Sequence, residues 1–303
     1  MIVAEHLTKR YGDKTAVDDV SFTVAPGRVT GFLGPNGAGK STTMRMIVGL
    51  DRPSAGHVTV GGQDYRRLRS PLTEVGVLLD AKAVHTGRSA RSHLRAMAAT
   101  HGIGRARVDE VIELTGIGSV AGKRAGAFSL GMGQRLGIAA ALLGDPHTLI
   151  LDEPVNGLDP EGVRWVRQFV RHLAAEGRTV LLSSHLMSEM SQTADHVIVL
   201  GRGKVLADAP LSELVRTWTA TALVVRSPRL SELVDAVSAP GVEATALEPG
   251  AARITGATPA AVGDLAASLG IPLHELSPIS GSLEDAYLAL TGEAVEYRTK
   301  EIA

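Results

Sequence analysis

The chain has 303 residues, a length that predicts one large domain and a smaller one. Its 31 Lys and Arg residues nearly balance its 32 Asp and Glu residues, so the formal net charge of −1 creates no overall field toward nucleic acid or an anionic membrane. The absence of cysteine from the sequence excludes a disulfide scaffold, a thiolate zinc site and a cysteine nucleophile.

The N-terminus and the longest apolar stretches bear on membrane insertion. Glu5, Lys9 and Arg10 interrupt the start of the chain, so we expect no secretory signal peptide. No uncharged apolar run reaches the roughly 18 residues that a membrane-spanning helix needs, and the richest stretch, 136–144, is about half that length. If the protein serves a membrane, we expect it to do so through a partner.

The N-terminal segment predicts three short strands, at 2–7, 17–24 and 29–33. A glycine-rich loop follows the third strand, and apolar residues at helical spacing predict a helix from 40 to about 50. Strand, loop and helix therefore occur in the order that a phosphate-binding loop requires.

Residues 80–145 differ in character from the segments on either side. They have few strand signals and many Ala and Arg residues, and the spacing of their apolar residues predicts helices at 89–101, 107–114 and 134–143. We interpret this segment as a helical subdomain inserted into the larger domain.

Strand patterns return after this insertion and alternate with helices. Strands are predicted at 148–152, 179–183 and 196–200, and helices at 160–176 and 186–192. Such alternation is typical of an α/β fold with a mostly parallel sheet covered by helices. The prediction is one α/β domain over residues 1–215, with the helical subdomain at about 80–145.

The remaining residues, 216–303, predict a small α+β domain. Its segments read as strand, helix, strand, strand, helix, strand and a final helix, at 221–226, 230–238, 242–247, 252–255, 259–269, 273–276 and 283–290. The first six of these follow the order of the split βαβ arrangement, so a ferredoxin-like fold is predicted.

The loop after the third strand carries the first chemical motif, Gly34-Pro35-Asn36-Gly37-Ala38-Gly39-Lys40-Ser41. Glycines let the backbone wrap around a phosphate, and successive N–H groups and the helix N-terminus add partial positive charge. Lys40 adds a full charge, and the Ser41 hydroxyl can ligate Mg²⁺. Together with Thr42, these residues are predicted to bind the phosphates of a nucleotide. The alternative, a chance match in a glycine-rich chain, is disfavoured by the flanking strand and helix.

The second motif is the apolar run 149–151, at the end of the strand predicted at 148–152, with two carboxylates, Asp152 and Glu153. Ligands of open α/β folds bind at this carboxyl edge of the sheet. Asp152 can hold Mg²⁺, and Glu153 is placed to orient or deprotonate the water that attacks the γ-phosphorus. By itself the pattern also fits an ordinary strand end, but combined with the Lys40 loop it favours nucleotide hydrolysis.

Together these motifs resemble the nucleotide-binding domain of ABC ATPases, over residues 1 to about 215. The resemblance implies a P-loop NTPase fold, ATP and Mg²⁺ as cofactors, and ATP hydrolysis. It also implies that His185 binds the γ-phosphate and supports Glu153, that Tyr11 stacks on adenine, and that 156–159 is the D-loop at a dimer interface. The alternatives are a histidine that caps the next helix, a tyrosine of the core or of a strand, and a simple capping turn.

The segment 128–135, Phe-Ser-Leu-Gly-Met-Gly-Gln-Arg, resembles the signature loop of the family. The resemblance implies that Ser129 and Gly131, with the N-terminus of the following helix, bind ATP held by a second copy. Leu130 replaces a glycine and Met132 a glutamine of the usual motif, and such loops look like those of the drug- and peptide-antibiotic-resistance branch of exporters.

A further departure from the family pattern is Asp80, after the strand predicted at 74–79, where the family carries the Q-loop glutamine. Aspartate accepts hydrogen bonds but cannot donate one as an amide does, so Asp80 is predicted to reach the nucleotide and the Mg²⁺ shell through water. The alternative is that the counterpart lies elsewhere within 80–85.

The leading hypothesis is a motor subunit of an ABC exporter of drugs or related compounds. It predicts a homodimer closed by ATP on a separate integral membrane permease, a cytoplasmic location on the inner face of the membrane, and no nucleic acid. Two alternatives stay open: a cytosolic ABC ATPase that acts on ribosomes or DNA, and a nucleotide-binding regulator without catalysis.

Overall fold

The computed structural model describes residues 1–219, 222–279 and 281–291. Within them the chain divides into two compact units, residues 1–211 and Ser212–Leu290. Each unit has its own sheets and its own hydrophobic core.

The first unit is built on a six-stranded sheet in the order β5-β6-β7-β3-β8-β9. All neighbouring strands are parallel except the edge pair β8 and β9. Its strands are β3 Arg28–Leu33, β5 Val75–Leu78, β6 Thr148–Leu151, β7 Thr179–Ser183, β8 His196–Gly201 and β9 Lys204–Pro210. The central strands are buried on both faces, which explains their nearly continuous apolar sequences. The predicted mostly parallel sheet is confirmed, whereas β9 was not predicted.

A second, antiparallel sheet of this unit has the order β2-β1-β4. Its strands are β1 Ile2–Tyr11, β2 Lys14–Val24 and β4 Ala55–Val60. The sequence did not predict β4, because only Val58 and Val60 of its side chains are buried. At Gly56, which has φ +73°, a Cβ would lie 2.1 Å from the carbonyl oxygen of His6, so the backbones approach too closely for a side chain.

Seven α-helices accompany these two sheets. They are α1 Lys40–Ile47, α2 Pro71–Glu74, α3 Ala90–Thr100, α4 Arg105–Leu114, α5 Leu130–Ala141, α6 Pro160–Ala175 and α7 Met187–Thr193. Helices α3, α4 and α5 lie within the segment predicted to be helical. Helix α1 ends earlier than predicted, because Gly49 turns the chain with φ +68°.

The start of α5 corrects the prediction that this helix begins at Gln134. The helix begins at Leu130, and the Ser129 hydroxyl caps it by accepting a hydrogen bond from the N–H of Met132 at 3.3 Å. Gly131 and Gly133 suggested a loop, but the serine cap and the tertiary contacts of the first turn outweigh their low helix propensity. The signature segment is therefore the first turn of α5.

The second unit contains a four-stranded antiparallel sheet, in the order β11-β12-β10-β13. Its elements are α8 Leu211–Trp218, β10 Ala222–Arg226, α9 Leu230–Val237, β11 Glu243–Glu248, β12 Ala251–Thr255, α10 Pro259–Ser268, β13 Glu275–Ile279 and α11 Leu283–Thr291. From β10 to β13 their order is the predicted one. The strand predicted at 273–276 instead occupies Glu275–Ile279, in register with β10. Thr221, predicted to begin the first strand, lies outside the described residues. The ferredoxin-like assignment remains a proposal.

In the part of the chain that the structure describes, no helix combines the length and the apolar character needed to cross a bilayer.

Candidate active site

The loop between β3 and α1 forms one wall of an open cavity of about 320 Å³. The cavity is lined by Tyr11, Lys14, Ala16 and residues 35–42. At Gly39, φ is +101° and a Cβ would lie 2.6 Å from the carbonyl oxygen of Ala16, so this position accepts only glycine without strain. The loop backbone and the N-terminus of α1 therefore border one space, in which an anion would meet partial positive charge.

Lys40, the first residue of α1, supplies the full positive charge of this loop. Its side chain curls back, and Nζ donates hydrogen bonds to the carbonyl oxygens of Gly34 at 2.5 Å and Pro35 at 3.2 Å. Burial lowers the pKa of the Lys40 ammonium, and the nearby carboxylates of Glu153 and Asp152 oppose that shift. A cation this desolvated is well suited to bind a phosphate in place of the two carbonyls.

The Asp152 carboxylate accepts hydrogen bonds from two serine hydroxyls, one of which belongs to the start of α1. The Ser41 hydroxyl donates to its Oδ2 at 2.7 Å, and the Ser183 hydroxyl donates to its Oδ1 at 2.5 Å. This placement follows from the sheet, because β6 and β7 are parallel with Leu151 opposite Leu182, so the residues after them are neighbours. Two separately predicted motifs, the Lys40 loop and the carboxylate pair, are thus brought together by a direct contact.

Glu153 is fixed by its backbone and its carboxylate. Its N–H donates to the Ser183 hydroxyl oxygen at 2.9 Å, and its Oε2 lies 2.8 Å from Nδ1 of His185. Its φ of +50° is left-handed, a conformation that residues with a Cβ rarely adopt. Strained backbone of this kind concentrates at functional sites, where the surrounding contacts impose it.

His185 does not cap the following helix. The N–H of Leu186 is bonded instead to the Ser184 hydroxyl at 3.0 Å, and α7 begins without a side-chain cap. The His185 ring is about half exposed, and its other nitrogen, Nε2, makes no hydrogen bond within the described residues. The ring therefore supports the Glu153 carboxylate while keeping one nitrogen for a further group.

Comparison with known proteins agrees with this geometry. The family model described as "ABC transporter" matches residues 17–156. The bacitracin transport ATP-binding protein BcrA of Bacillus licheniformis is 41% identical over 217 residues, which cover 71% of each chain. This chain belongs to the ABC transporter ATP-binding family. The resemblance seen in the sequence is thereby confirmed, and with it the P-loop NTPase fold, ATP binding and ATP hydrolysis.

Other relatives of this ABC ATPase extend the comparison. The uncharacterized ABC transporter ATP-binding protein YhcH of Bacillus subtilis is 36% identical over 301 residues, 96% of both chains. The solved structure of cbiO1 from Clostridium perfringens, part of the ABC transporter complex cbiONQ, is 28% identical with a TM-score of 0.61, covering 70% of this chain and 89% of that one. A domain model of unknown function matches residues 221–284, in the second unit.

Tyr11 lies at the rim of the cavity and is half exposed. Its hydroxyl donates to Oδ2 of Asp51 at 2.9 Å, and Arg45 holds the same carboxylate at 2.8 Å. The pKa of Tyr11 is raised, first by partial desolvation and then by the Asp51 carboxylate. Lys9 Nζ lies 4.8 Å from the ring centroid. Tyr11 is therefore an exposed residue at the end of β1, which contradicts the core alternative and agrees with the strand alternative. Its stacking on adenine stays a prediction.

Asp80 is not brought to the cavity of this ABC ATPase. Its side chain is exposed, and its Oδ1 accepts a hydrogen bond from the N–H of Lys82 at 2.8 Å, which closes a local turn. Among the described residues it makes no hydrogen bond to Ser41 or Asp152. Its predicted contact with nucleotide and Mg²⁺ through water stays a prediction.

Ser129 and Gly131 likewise do not line the Lys40 cavity. Ser129 borders a separate cavity of about 300 Å³. Gly131 packs on the D-loop, where a Cβ would lie 2.8 Å from the carbonyl oxygen of Gly157. Asp159 ends that loop by capping α6 through the N–H of Gly162 at 2.9 Å. The two predicted half-sites of one chain are therefore separate.

Two side chains that contact Asp152 or Glu153 had no predicted role in the site. Ser183 joins Asp152 to the backbone of Glu153, and Gln134 donates from Nε2 to the carbonyl oxygen of Glu153 at 2.9 Å. Pairing the two predicted strands would have indicated Ser183, since it ends the strand next to Asp152. Gln134 is a residue of the segment 128–135 that resembles the family signature, but nothing in that pattern indicated a contact with Glu153.

Proposed function

We propose that two copies of this ABC ATPase close on two ATP molecules and thereby drive a separate membrane permease. The observation that carries the proposal is the hydrogen-bonded series Ser41, Asp152, Ser183, Glu153 and His185, which begins at the phosphate loop and ends on a histidine with an unused nitrogen. Along one edge of the sheet, this series would provide a position for a metal ion, then a general base, and then a contact for the γ-phosphate.

Mg²⁺ fits the beginning of this series. Ser41 and Asp152 present a hydroxyl and a carboxylate, the oxygen ligands that Mg²⁺ prefers, on neighbouring atoms. We propose that these two residues hold the ion, which would neutralise charge between the β- and γ-phosphates. A contribution from Asp80 would require its loop to open.

The other end of the series supports hydrolysis. The Glu153 carboxylate lies beyond Asp152 and can accept a proton from the attacking water, while His185 orients that carboxylate. With both ring nitrogens protonated, His185 would donate from Nδ1 to the Glu153 carboxylate and from Nε2 to the γ-phosphate. Glu153, His185 and Lys40 are the residues proposed to act on the terminal phosphate.

A two-chain site accounts for the separation of the half-sites. The first turn of α5 has N–H groups available at a helix N-terminus, where anions are stabilised. Ser129 and Gly131 would meet the γ-phosphate held by Lys40 of the other copy. In this arrangement the D-loop, 156–159, would lie at the dimer interface.

Export of a drug or an antibiotic is the transport function that the comparisons favour. Besides the bacitracin transport protein, the daunorubicin resistance ATP-binding protein DrrA3 of Streptomyces coeruleorubidus is 39% identical over 218 residues, covering 70% of this chain and 69% of that protein. The Leu130 and Met132 variant of the signature segment points to the same branch. We propose a peripheral location on the inner face of the cell membrane and no nucleic-acid partner.

Replacing Tyr11 by alanine is expected to raise KM for ATP about tenfold with little change in kcat. Stacking of a base on an aromatic ring contributes about 1–3 kcal/mol, and Tyr11 would contact the base rather than the phosphates. Steady-state ATPase measurements test this. Tyr11→Phe keeps the ring and serves as the control, and an equal rise in KM for both variants would assign the effect to the Asp51 hydrogen bond instead.

Co-purification tests the transport function directly. The Glu153→Gln variant, with ATP to hold the dimer closed, is isolated from detergent-solubilised membranes of its native cells. A stoichiometric integral membrane protein is the expected companion. Recovery with ribosomes or nucleic acid, in a manner steeply dependent on salt, would instead support a cytosolic ABC ATPase.

A further inference from the structure

Gln134 lies in the second turn of α5, yet its side chain reaches the chemistry at the end of β6. It is 5% exposed, and its Nε2 donates to the carbonyl oxygen of Glu153 at 2.9 Å. The same carbonyl accepts the N–H of Asn156 at 3.2 Å. The peptide that follows Glu153 is therefore held by one side chain and one backbone group.

The backbone at Glu153 needs such support. Its left-handed φ of +50° is unfavourable for a residue with a Cβ, so surrounding contacts must maintain it. Ser183 holds the N–H of Glu153 and Gln134 holds its carbonyl, and these two bonds fix the peptides on either side of the Cα. The direction of the carboxylate depends on both of them.

The orientation of the Gln134 amide is determined by this contact. Rotating the amide would place its oxygen against the Glu153 carbonyl oxygen, and two acceptors cannot bond to each other. In the observed orientation Oε1 is buried and has no hydrogen-bond partner within the described residues. Burying an unpaired oxygen costs stability, and the hydrogen bond from Nε2 to the Glu153 carbonyl offsets part of that cost.

The first turn of α5 also contacts the segment that follows Glu153. A Cβ at Gly157 would lie 2.4 Å from Cδ2 of Leu130, and a Cβ at Gly131 would lie 2.8 Å from the Gly157 carbonyl oxygen. Gly157, with φ +72°, leaves the room that the Leu130 side chain fills. Helix α5 is thus attached to residues 153–157 at both ends of that segment.

We propose that Gln134 is a positioning residue for Glu153 of its own chain, so that the signature helix serves both active sites of the dimer. This inference rests on the proposed two-chain ATP site. The N-terminus of α5 faces the nucleotide of the other copy, while Gln134, one turn further along, holds the glutamate that acts on the nucleotide of its own copy.

The first test compares Gln134→Met with wild type. Methionine keeps the length of the side chain but cannot donate a hydrogen bond. We expect kcat to fall about tenfold, because one hydrogen bond that holds Glu153 in place contributes a free energy equivalent to roughly that factor, with KM and ATP affinity within about twofold of wild type. Gln168→Met, at an exposed position of α6, is the matched control and should keep wild-type rates. Unchanged kcat in Gln134→Met, with normal ATP binding, would overturn the proposal.

A mixed dimer distinguishes action within one chain from action across the interface. One copy carries Lys40→Ala, so only the Lys40 and Glu153 of the other copy remain active. Gln134→Met is then placed in either copy. We expect the loss of turnover only when Gln134→Met is in the copy with the intact Lys40. A loss confined to the opposite placement would show that Gln134 acts through the signature turn on the partner's nucleotide, and would overturn the proposal.

The result is separable from a failure of the proposed function. If wild type hydrolysed no ATP, or if Lys40→Ala had no effect in the homodimer, the two-chain site itself would be wrong. If both behaved as expected while Gln134→Met hydrolysed ATP normally, only the positioning role would be lost. Thermal unfolding of Gln134→Met alongside Gln168→Met identifies any loss of folded protein.

Discussion

Substitution of Glu153 by glutamine is expected to lower kcat about a hundredfold or more while ATP binding is retained. The amide has nearly the same shape but cannot accept a proton from the attacking water, and general-base catalysis contributes about 10²- to 10⁴-fold. The proposal of this role for Glu153 is supported by its position next to Asp152 and by its 2.8 Å contact with His185. Phosphate release and binding of a fluorescent ATP analogue measure the two effects separately.

The same variant is also expected to accumulate as an ATP-bound dimer, because hydrolysis would no longer open it. Light scattering after gel filtration with and without ATP tests this. Glu243→Gln, on the exposed strand β11, is the control and should leave rate and assembly unchanged. If Glu153→Gln hydrolysed ATP at the wild-type rate, Glu153 would not be the general base, and His185 would be the next candidate.

Substitution of Lys40 by alanine is expected to reduce kcat/KM for ATP by about a hundredfold or more. Lys40 is 9% exposed and supplies the cation of the phosphate loop, and removing one preorganised donor to developing charge typically has an effect of about 10²- to 10³-fold. Unlike Glu153→Gln, this change should also weaken binding, since the charge acts on phosphates in the ground state. ATP binding and ATPase rate are measured on the same preparation.

Two further variants sharpen the interpretation of Lys40→Ala. Lys40→Arg keeps the charge, but the guanidinium is too large for the space where Nζ now lies 2.5 Å from the Gly34 carbonyl oxygen, so it should not restore activity. Lys123→Ala removes an exposed charge of the helical subdomain and is the control. Near-normal ATP binding by Lys40→Ala would contradict the phosphate role.

Lys40 would exchange its hydrogen-bond partners when a nucleotide binds. Its ammonium now donates to the carbonyl oxygens of Gly34 and Pro35, and the charged oxygens of a polyphosphate would take the place of these two carbonyls. A phosphate oxygen carries negative charge whereas a carbonyl oxygen is neutral, so the exchange would add a direct attraction between opposite charges. That attraction favours binding.

Local patterns in the sequence determined most of the fold and half of the site. Residues 34–41 form one contiguous motif, and Asp152 and Glu153 form another. Each motif could be recognised from the sequence because a phosphate-binding loop and a strand end are properties of short segments. The alternation of strand patterns with helical patterns along the chain predicted the parallel sheet. The strand patterns were clear because the central strands are buried throughout and therefore apolar. Strands β4 and β9 were not predicted. Only two residues of β4 and none of β9 are buried, so neither strand shows a clear pattern of apolar residues.

Tertiary structure alone decided which distant residues meet. Ser183 becomes the neighbour of Asp152 only through the parallel register of β6 and β7, and Gln134 reaches Glu153 only because α5 starts at Leu130 and packs on the loop after β6. Asp80 fits the metal shell by its chemistry, yet its carboxylate is bonded to its own loop. The amino-acid types and their spacing fix the chemistry available, whereas register and packing fix which atoms come within bonding distance, because those distances depend on contacts between segments far apart in the chain.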